Sequence, residues 1–169
     1  MDEDERFVEF VSARRTRLFR LAYLLTAEAS AAEDLLQTAM EKTYANWPKV
    51  RRMDAPEAYV RKVMVNAVVS ARRRPGYRLE WLRPVLPERP TTAEDNATVD
   101  HALLWPLVCA LPERQRAVVV LRYYEDLTEA QTADVLGCTI GTVKSQAHDA
   151  MRHLRRGFGS AHKGEVLER

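Results

Sequence analysis

Six side chains near the end of the chain have the types and spacing to read DNA. They are Thr142, Lys144, Ser145, His148, Asp149 and Arg152, within the run "LGCTIGTVKSQAHDAMRHLRR" (136–156). At about 100° per residue, Ile140, Val143, Ala147, Ala150, Met151 and Leu154 form one apolar stripe, which is expected to face a core. Gly141, Ser145, His148, Asp149, Arg152 and Arg156 fall opposite, with Thr142 and Lys144 on the flanks. Small residues at the start of that outward face allow close approach to base edges. Lys144 and His148 can donate to a base or a phosphate, and Arg152, Arg155 and Arg156 can neutralise phosphates. Asp149 is anomalous, because a carboxylate facing phosphates is repelled. Two explanations stand: it pairs with Arg152 or His153 one helical turn on, or it accepts a hydrogen bond from a cytosine amino group.

The elements that must position this face are legible around it. Thr128 and Gln131 form a capping box that opens a short helix ending near Leu136. Gly137 suits the left-handed position that stops that helix, and Thr139 caps the next one, expected to run to about Arg156. Two helices joined by so short a turn have the spacing of a helix-turn-helix, whose second helix enters the major groove.

A second concentration of charge lies upstream. Between Lys49 and Arg74 there are eight cations (Lys49, Arg51, Arg52, Arg61, Lys62, Arg72, Arg73, Arg74) against two anions, Asp54 and Glu57. Such a run is either a solvated helix face or a nucleic-acid contact. The whole chain is nearly balanced, +2 over 169 residues, so its partner is not announced by bulk charge.

Composition narrows the class. The chain is 46% hydrophobic and 30% charged, which is ordinary for a soluble protein. Cys109 and Cys138 fit neither a disulfide framework nor a metal motif, and both are expected to be buried small side chains. The acidic start "MDEDERFVEF" is unlike a signal peptide. No apolar run approaches the length of a membrane span, about 18 residues. A cytoplasmic protein with no membrane insertion, no metal and no cofactor is expected. With no carboxylate cluster and no phosphate-binding glycine loop, an enzyme acting on nucleic acid has no support.

Periodicity predicts an all-α chain. One helix spans Phe7 to Leu25. A second, opened by a Ser30–Glu33 capping box, reaches about Asn46 and breaks at Pro48. A third is capped by Asp54, with Glu57 three residues on, and is stopped by Pro75. Trp47 is expected to anchor a core. Residues 75 to about 98 lose periodicity and carry Pro75, Pro84, Pro87 and Pro90, which predicts a flexible tether. Trp81 and Leu82 within it either dock on a surface or pack locally. Helices follow over Val99 to Ala110 and Pro112 to Asp126. After the final helix, "GFGSAHKGEVLER" is expected to fray.

Three segments, "AEDLLQTAMEKTYANW" (32–47), "PEAYVRKVMVNAVVSARRR" (56–74) and "LPERQRAVVVLRYYEDLTEAQTADVLGCTIGTVKSQ" (111–146), together resemble the extracytoplasmic-function (ECF) sigma factors of bacterial RNA polymerase. These are the smallest members of the sigma-70 family, and the chain is similar to their actinobacterial sigma-E branch. The resemblance implies two small helical domains: sigma-2 over 1–80 and a helix-turn-helix sigma-4 over 99–157, with a linker over 81–98 and a tail over 158–169. It implies no catalysis by the chain itself. Core RNA polymerase and promoter DNA are the implied partners, and an anti-sigma factor, common in the family, is a candidate inhibitor. Sigma-2 would bind the β′ clamp helices and melt the −10 element; sigma-4 would bind the β flap and read the −35 element.

Residue by residue, Asp34, Leu35 and Gln37 match the motif that engages the clamp, although Leu35 equally suits a core. The loop from Pro48 to Asp54 matches the element that captures a flipped −10 base. Met53, Tyr59 and Asn66 would wall and hydrogen-bond that base, with Lys49, Arg51, Arg52 and Lys62 on phosphates. Tyr59 also suits simple packing. Lys144, Ser145, His148 and Asp149 occupy the −35-reading positions, where Gln146, Asp149 and Met151 depart from a more cationic pattern. The rival reading is a stand-alone helix-turn-helix regulator, for which residues 1–80 offer neither a ligand pocket nor a dimerising heptad.

Overall fold

The structure is a computed structural model, which describes residues 2–71 and 99–166. The expected tether, with Trp81 and Leu82, and the cations Arg72, Arg73 and Arg74 lie outside the described residues. Every described element is helical, and the chain divides into two compact units, one upstream of the tether region and one downstream.

In the first unit, α1 (Glu3–Thr26) opens on a capping box: Glu5 N–H donates to Asp2 at 2.9 Å and Asp2 N–H donates to Glu5 at 3.0 Å. It ends where Ala27 turns left-handed at φ 63°. That turn sets the start of α2 (Ala29–Ala45) earlier than the sequence suggested. Glu28, not Ser30, is the cap, accepting from Ser30 N–H at 3.0 Å and Ala31 N–H at 2.9 Å. Pro48 does not break the chain into a loop. It sits in the first turn of a short helix, α3 (Trp47–Val50), where the missing N–H has no intrahelical partner to lose. Helix α4 (Pro56–Ala71) begins at Pro56, so Ala55 rather than Asp54 holds its cap position. Glu57 is drawn instead to α1, paired with Arg14 at 2.6 Å and Arg17 at 3.0 Å.

The core of this unit joins Leu21 and Leu25 of α1, Ala32 and Ala39 of α2, Val50 of α3, and Val60 and Met64 of α4. Trp47 is buried as expected, meeting Phe7 edge-on at 5.3 Å between ring centroids and Phe10 at 5.1 Å. Aromatic pairs in such tilted geometries add to the burial of their area.

In the second unit, α5 (Val99–Cys109) meets α6 (Glu113–Val119) at a corner closed by Arg116. This buried guanidinium donates to the Cys109 carbonyl at 2.7 Å, and burial lowers its pKa. Both cysteines are free but only half-buried, and burial pushes the Cys109 thiol up. The single helix expected to Asp126 is divided. Pro112 is the cap rather than a first-turn residue, and at Val120 the helix widens into a π-helical turn (Val120–Tyr124). Glu125 N–H donates back to Val120 at 3.0 Å and Leu127 N–H to Leu121 at 3.0 Å, with Asp126 left-handed between them. Widening buries Val120 and Leu121 while leaving Tyr123 and Tyr124 exposed. The Arg122 guanidinium fastens the turn by donating to the Leu127 carbonyl.

Helix α7 (Glu129–Leu136) and α8 (Ile140–Val166) follow. Helical hydrogen bonding in α8 continues to Val166, well past the expected end at Arg156. Gly157 makes room for the crossing with α5, since a Cβ there would lie 2.5 Å from a Leu107 methyl.

Candidate nucleic-acid and polymerase interfaces

The α7–turn–α8 corner is built as its residues require. Thr128 and Gln131 exchange hydrogen bonds at 2.9 and 3.1 Å, closing the capping box of α7. Gly137 adopts φ 61°, which glycine reaches without the penalty a side chain brings. Cys138 N–H donates back to Ala133 at 3.0 Å. Thr139 then caps α8, its hydroxyl oxygen accepting from Thr142 N–H at 3.1 Å. The two helices are thereby fixed through three residues of turn, Gly137 to Thr139.

Val143 and Ala150 hold α8 against the rest of the unit, with Ala147, Met151 and Leu154 half-buried beside them. Ile140, expected in the same stripe, is instead 45% exposed. It is the first residue of α8, while Val143 three residues on is fully buried. Gly141, Lys144, Ser145, His148 and Arg152 are exposed, and Thr142 is half-buried. Lys144 Nζ lies 3.7 Å from Glu129 at the start of α7. Such an outward pair holds the lysine only loosely.

Asp149 accepts from Arg152 Nη2 at 2.6 Å, one helical turn on. His153, the other expected partner, is engaged elsewhere, with Nδ1 2.8 Å from the buried Gln115 of α6. In the free chain, then, the carboxylate is neutralised by its own helix.

The upstream cations are divided by the fold. Lys49 and Arg52 are exposed. Arg51 is folded back on Glu3 at 2.7 Å, so its charge is shared with the acidic first turn of α1. Met53 and Tyr59 are half-buried, while Lys62 and Asn66 are exposed. Tyr59, Lys62 and Asn66 recur at helical spacing and share one face of α4, the helix that follows α3 and the turn after it.

On α2, Asp34 and Gln37 are exposed, whereas Leu35 is 8% exposed and belongs to the core. Asp34 and Gln37 border a groove between α1 and α2 of about 630 Å³, with Phe7, Val11, Phe19 and Met40 among its lining. Its charged lining is Glu33, Asp34 and Glu41 against Arg15, and Gln37 donates to Glu41 at 3.0 Å. Sequence reasoning missed this groove. The signal was a stripe on α1 wider than its core contact needs, with Phe7 and Val11 only half-covered. Among the described residues there is no group of acidic, histidine and cysteine side chains fit to hold a metal, and no helix long and apolar enough to cross a membrane.

Comparison with known proteins identifies the two units. Residues 10–76 match the family model of sigma-70 region 2, and residues 102–154 match that of sigma-70 region 4. The chain is 38% identical over 164 residues to the RNA polymerase sigma-E factor of Streptomyces coelicolor, covering 92% of this chain and 87% of that protein. It is 32% identical over 142 residues to the ECF RNA polymerase sigma factor SigL of Mycobacterium tuberculosis, covering 82% and 80%. The Bartonella quintana sigma factor RpoE, solved in complex with the anti-sigma factor NepR, has a similar fold. Its TM-score is 0.69 at 21% identity, covering 92% of this chain and 98% of that one. With both sigma regions in order and near full-length likeness to named relatives, the chain belongs to the extracytoplasmic-function sigma factors of the sigma-70 family, which are transcription initiation factors.

Proposed function

We propose that the chain works in the cytoplasm by binding core RNA polymerase and dividing promoter recognition between its two units. The first unit engages the β′ clamp helices through Asp34 and Gln37, with Leu35 shaping α2 from inside, and opens the −10 element. There Tyr59, Asn66 and Met53 receive an unpaired base, and Lys49, Arg52 and Lys62 hold the strand's phosphates. Arg51 joins them once DNA competes it away from Glu3. The second unit binds the β flap and reads the −35 element through Thr142, Lys144, Ser145 and His148, with Arg152 near the backbone but neutralised by Asp149. The observation that carries this reading is the exposed face of α8, basic from Lys144 onward, set on a three-residue turn after α7.

The test is footprinting of the reconstituted holoenzyme. Lys144→Ala should lower protection of the upstream element about tenfold, the scale of one good base contact. Asp34→Ala with Gln37→Ala should weaken core binding by a similar factor, the loss of a modest interface hot spot. Unchanged protection with Lys144→Ala would remove α8 from the upstream element. The B. quintana relative was solved with an anti-sigma factor, and an inhibitor of that kind is a candidate regulator here.

A further inference from the structure

Exposure of one isoleucine means nothing by itself, since single apolar side chains are common on protein surfaces. Ile140 differs in where it stands. It is the first residue of α8, immediately after the Thr139 cap, where a helix-turn-helix brings its second helix to base edges. Lys144 follows Ile140 at i+4 as its neighbour along the helix, and His148 lies a further four residues on, turned toward the outward face. All three are exposed.

The neighbours in that first turn leave its apolar contact to Ile140. Gly141 has no side chain. Thr142 is half-buried, and its hydroxyl, 3.0 Å from that of Thr139, keeps hydrogen-bonding capacity for a polar contact, so the large exposed apolar side chain of that turn is Ile140. A branched apolar side chain has nothing to offer an amino or carbonyl group. In the major groove its match is the C5-methyl of thymine. The occupant is continuous with the interface proposed for Lys144 and Ser145.

We infer that Ile140 is a specificity-determining residue of the −35 contact, selecting thymine at one position by covering its methyl group. The inference rests on the reading of α8 as the −35-reading helix. Cytosine presents C–H where thymine carries the methyl, and uracil removes that methyl while keeping every hydrogen-bonding group. The discrimination is therefore steric and apolar, with no change in the donor and acceptor pattern for thymine against uracil.

The experiment uses the full chain reconstituted with core RNA polymerase. Duplexes randomised over the upstream element are selected by wild type, Ile140→Ala and Lys144→Ala holoenzymes. Uracil is then placed for each thymine of the wild-type site, one at a time. Wild type should lose about three- to fivefold in affinity at one thymine, the worth of one methyl group removed from water. Ile140→Ala should bind thymine and uracil equally there and lose thymine enrichment at that position alone. Its core binding and melting temperature should match wild type, since the replaced side chain is exposed.

Identical selected sites and identical uracil sensitivity for wild type and Ile140→Ala would overturn the inference. If Lys144→Ala still alters the selected element in that case, α8 remains the reader and only the role of Ile140 falls. If neither substitution alters it, the reading of α8 falls as well. A transcription defect in Ile140→Ala without altered uracil sensitivity also counts against the inference.

Discussion

At the scale of single residues, the informative cases are those where one charge has two claims on it. Asp149 is held by Arg152 at 2.6 Å. A pair at this helical spacing contributes about 0.2–0.5 kcal/mol to its helix. Its greater effect is on DNA, because it removes one cation from the face that meets phosphates. Asp149→Ala should therefore raise holoenzyme affinity at all upstream sites by a similar, few-fold factor and steepen the salt dependence by about one unit, the mark of one more phosphate neutralised. The selected sequence should not change. Loss confined to sites with cytosine at one position would show instead that the carboxylate reads that base. In the first unit, Tyr59 and Asn66 share a face of α4. Tyr59→Ala or Asn66→Ala should reduce permanganate reactivity of the −10 thymines about tenfold, the loss of one base-stacking or base-bonding interaction, while leaving core binding intact. Normal melting in both variants would take these residues out of the strand-capturing site.

At the scale of elements, the helix-turn-helix was the most legible part of the chain, because every residue that fixes it acts locally. Thr128, Gln131, Gly137 and Thr139 do in the structure what their spacing predicts. Thr128→Ala should cost about 1 kcal/mol through the lost cap, and Gly137→Ala about 1–2 kcal/mol through the left-handed backbone, both read by urea unfolding. A Cβ at Gly137 meets nothing within 4 Å, so a loss there isolates the backbone effect from any clash. Legibility ended where distant groups compete. Glu57 looked like a partner for Asp54 and went to Arg14 and Arg17 of α1. The cap of α2 moved to Glu28 because Ala27 reverses the chain one residue before it. The π-helical turn has no local sequence sign. It follows from burying Val120 and Leu121 while Leu127 closes back on Leu121, a demand of packing rather than propensity. Ile140 was misplaced for the same kind of reason: helical projection gives a direction, not whether anything lies in that direction.

At the scale of the molecule, the chain belongs to a family of transcription initiation factors, and on the proposed reading it is a selector carried by a larger catalyst. Its near-neutral total charge fits that role, since a small factor with balanced charge can choose among sites while the polymerase supplies much of the grip. The groove between α1 and α2, lined by apolar side chains with Glu33, Asp34 and Glu41 against Arg15, would suit a partner surface with cations around an apolar patch. The two-unit organisation was readable from proline content and periodicity; the groove was not, because it exists only once α1 and α2 are packed. The most direct test is run-off transcription from a pool of genomic fragments, with core RNA polymerase alone and with the chain added. Discrete transcripts whose start sites share a pair of upstream elements are expected only when the chain is present. Transcripts indistinguishable from those of core alone, with the free chain binding a palindrome by itself, would contradict the account.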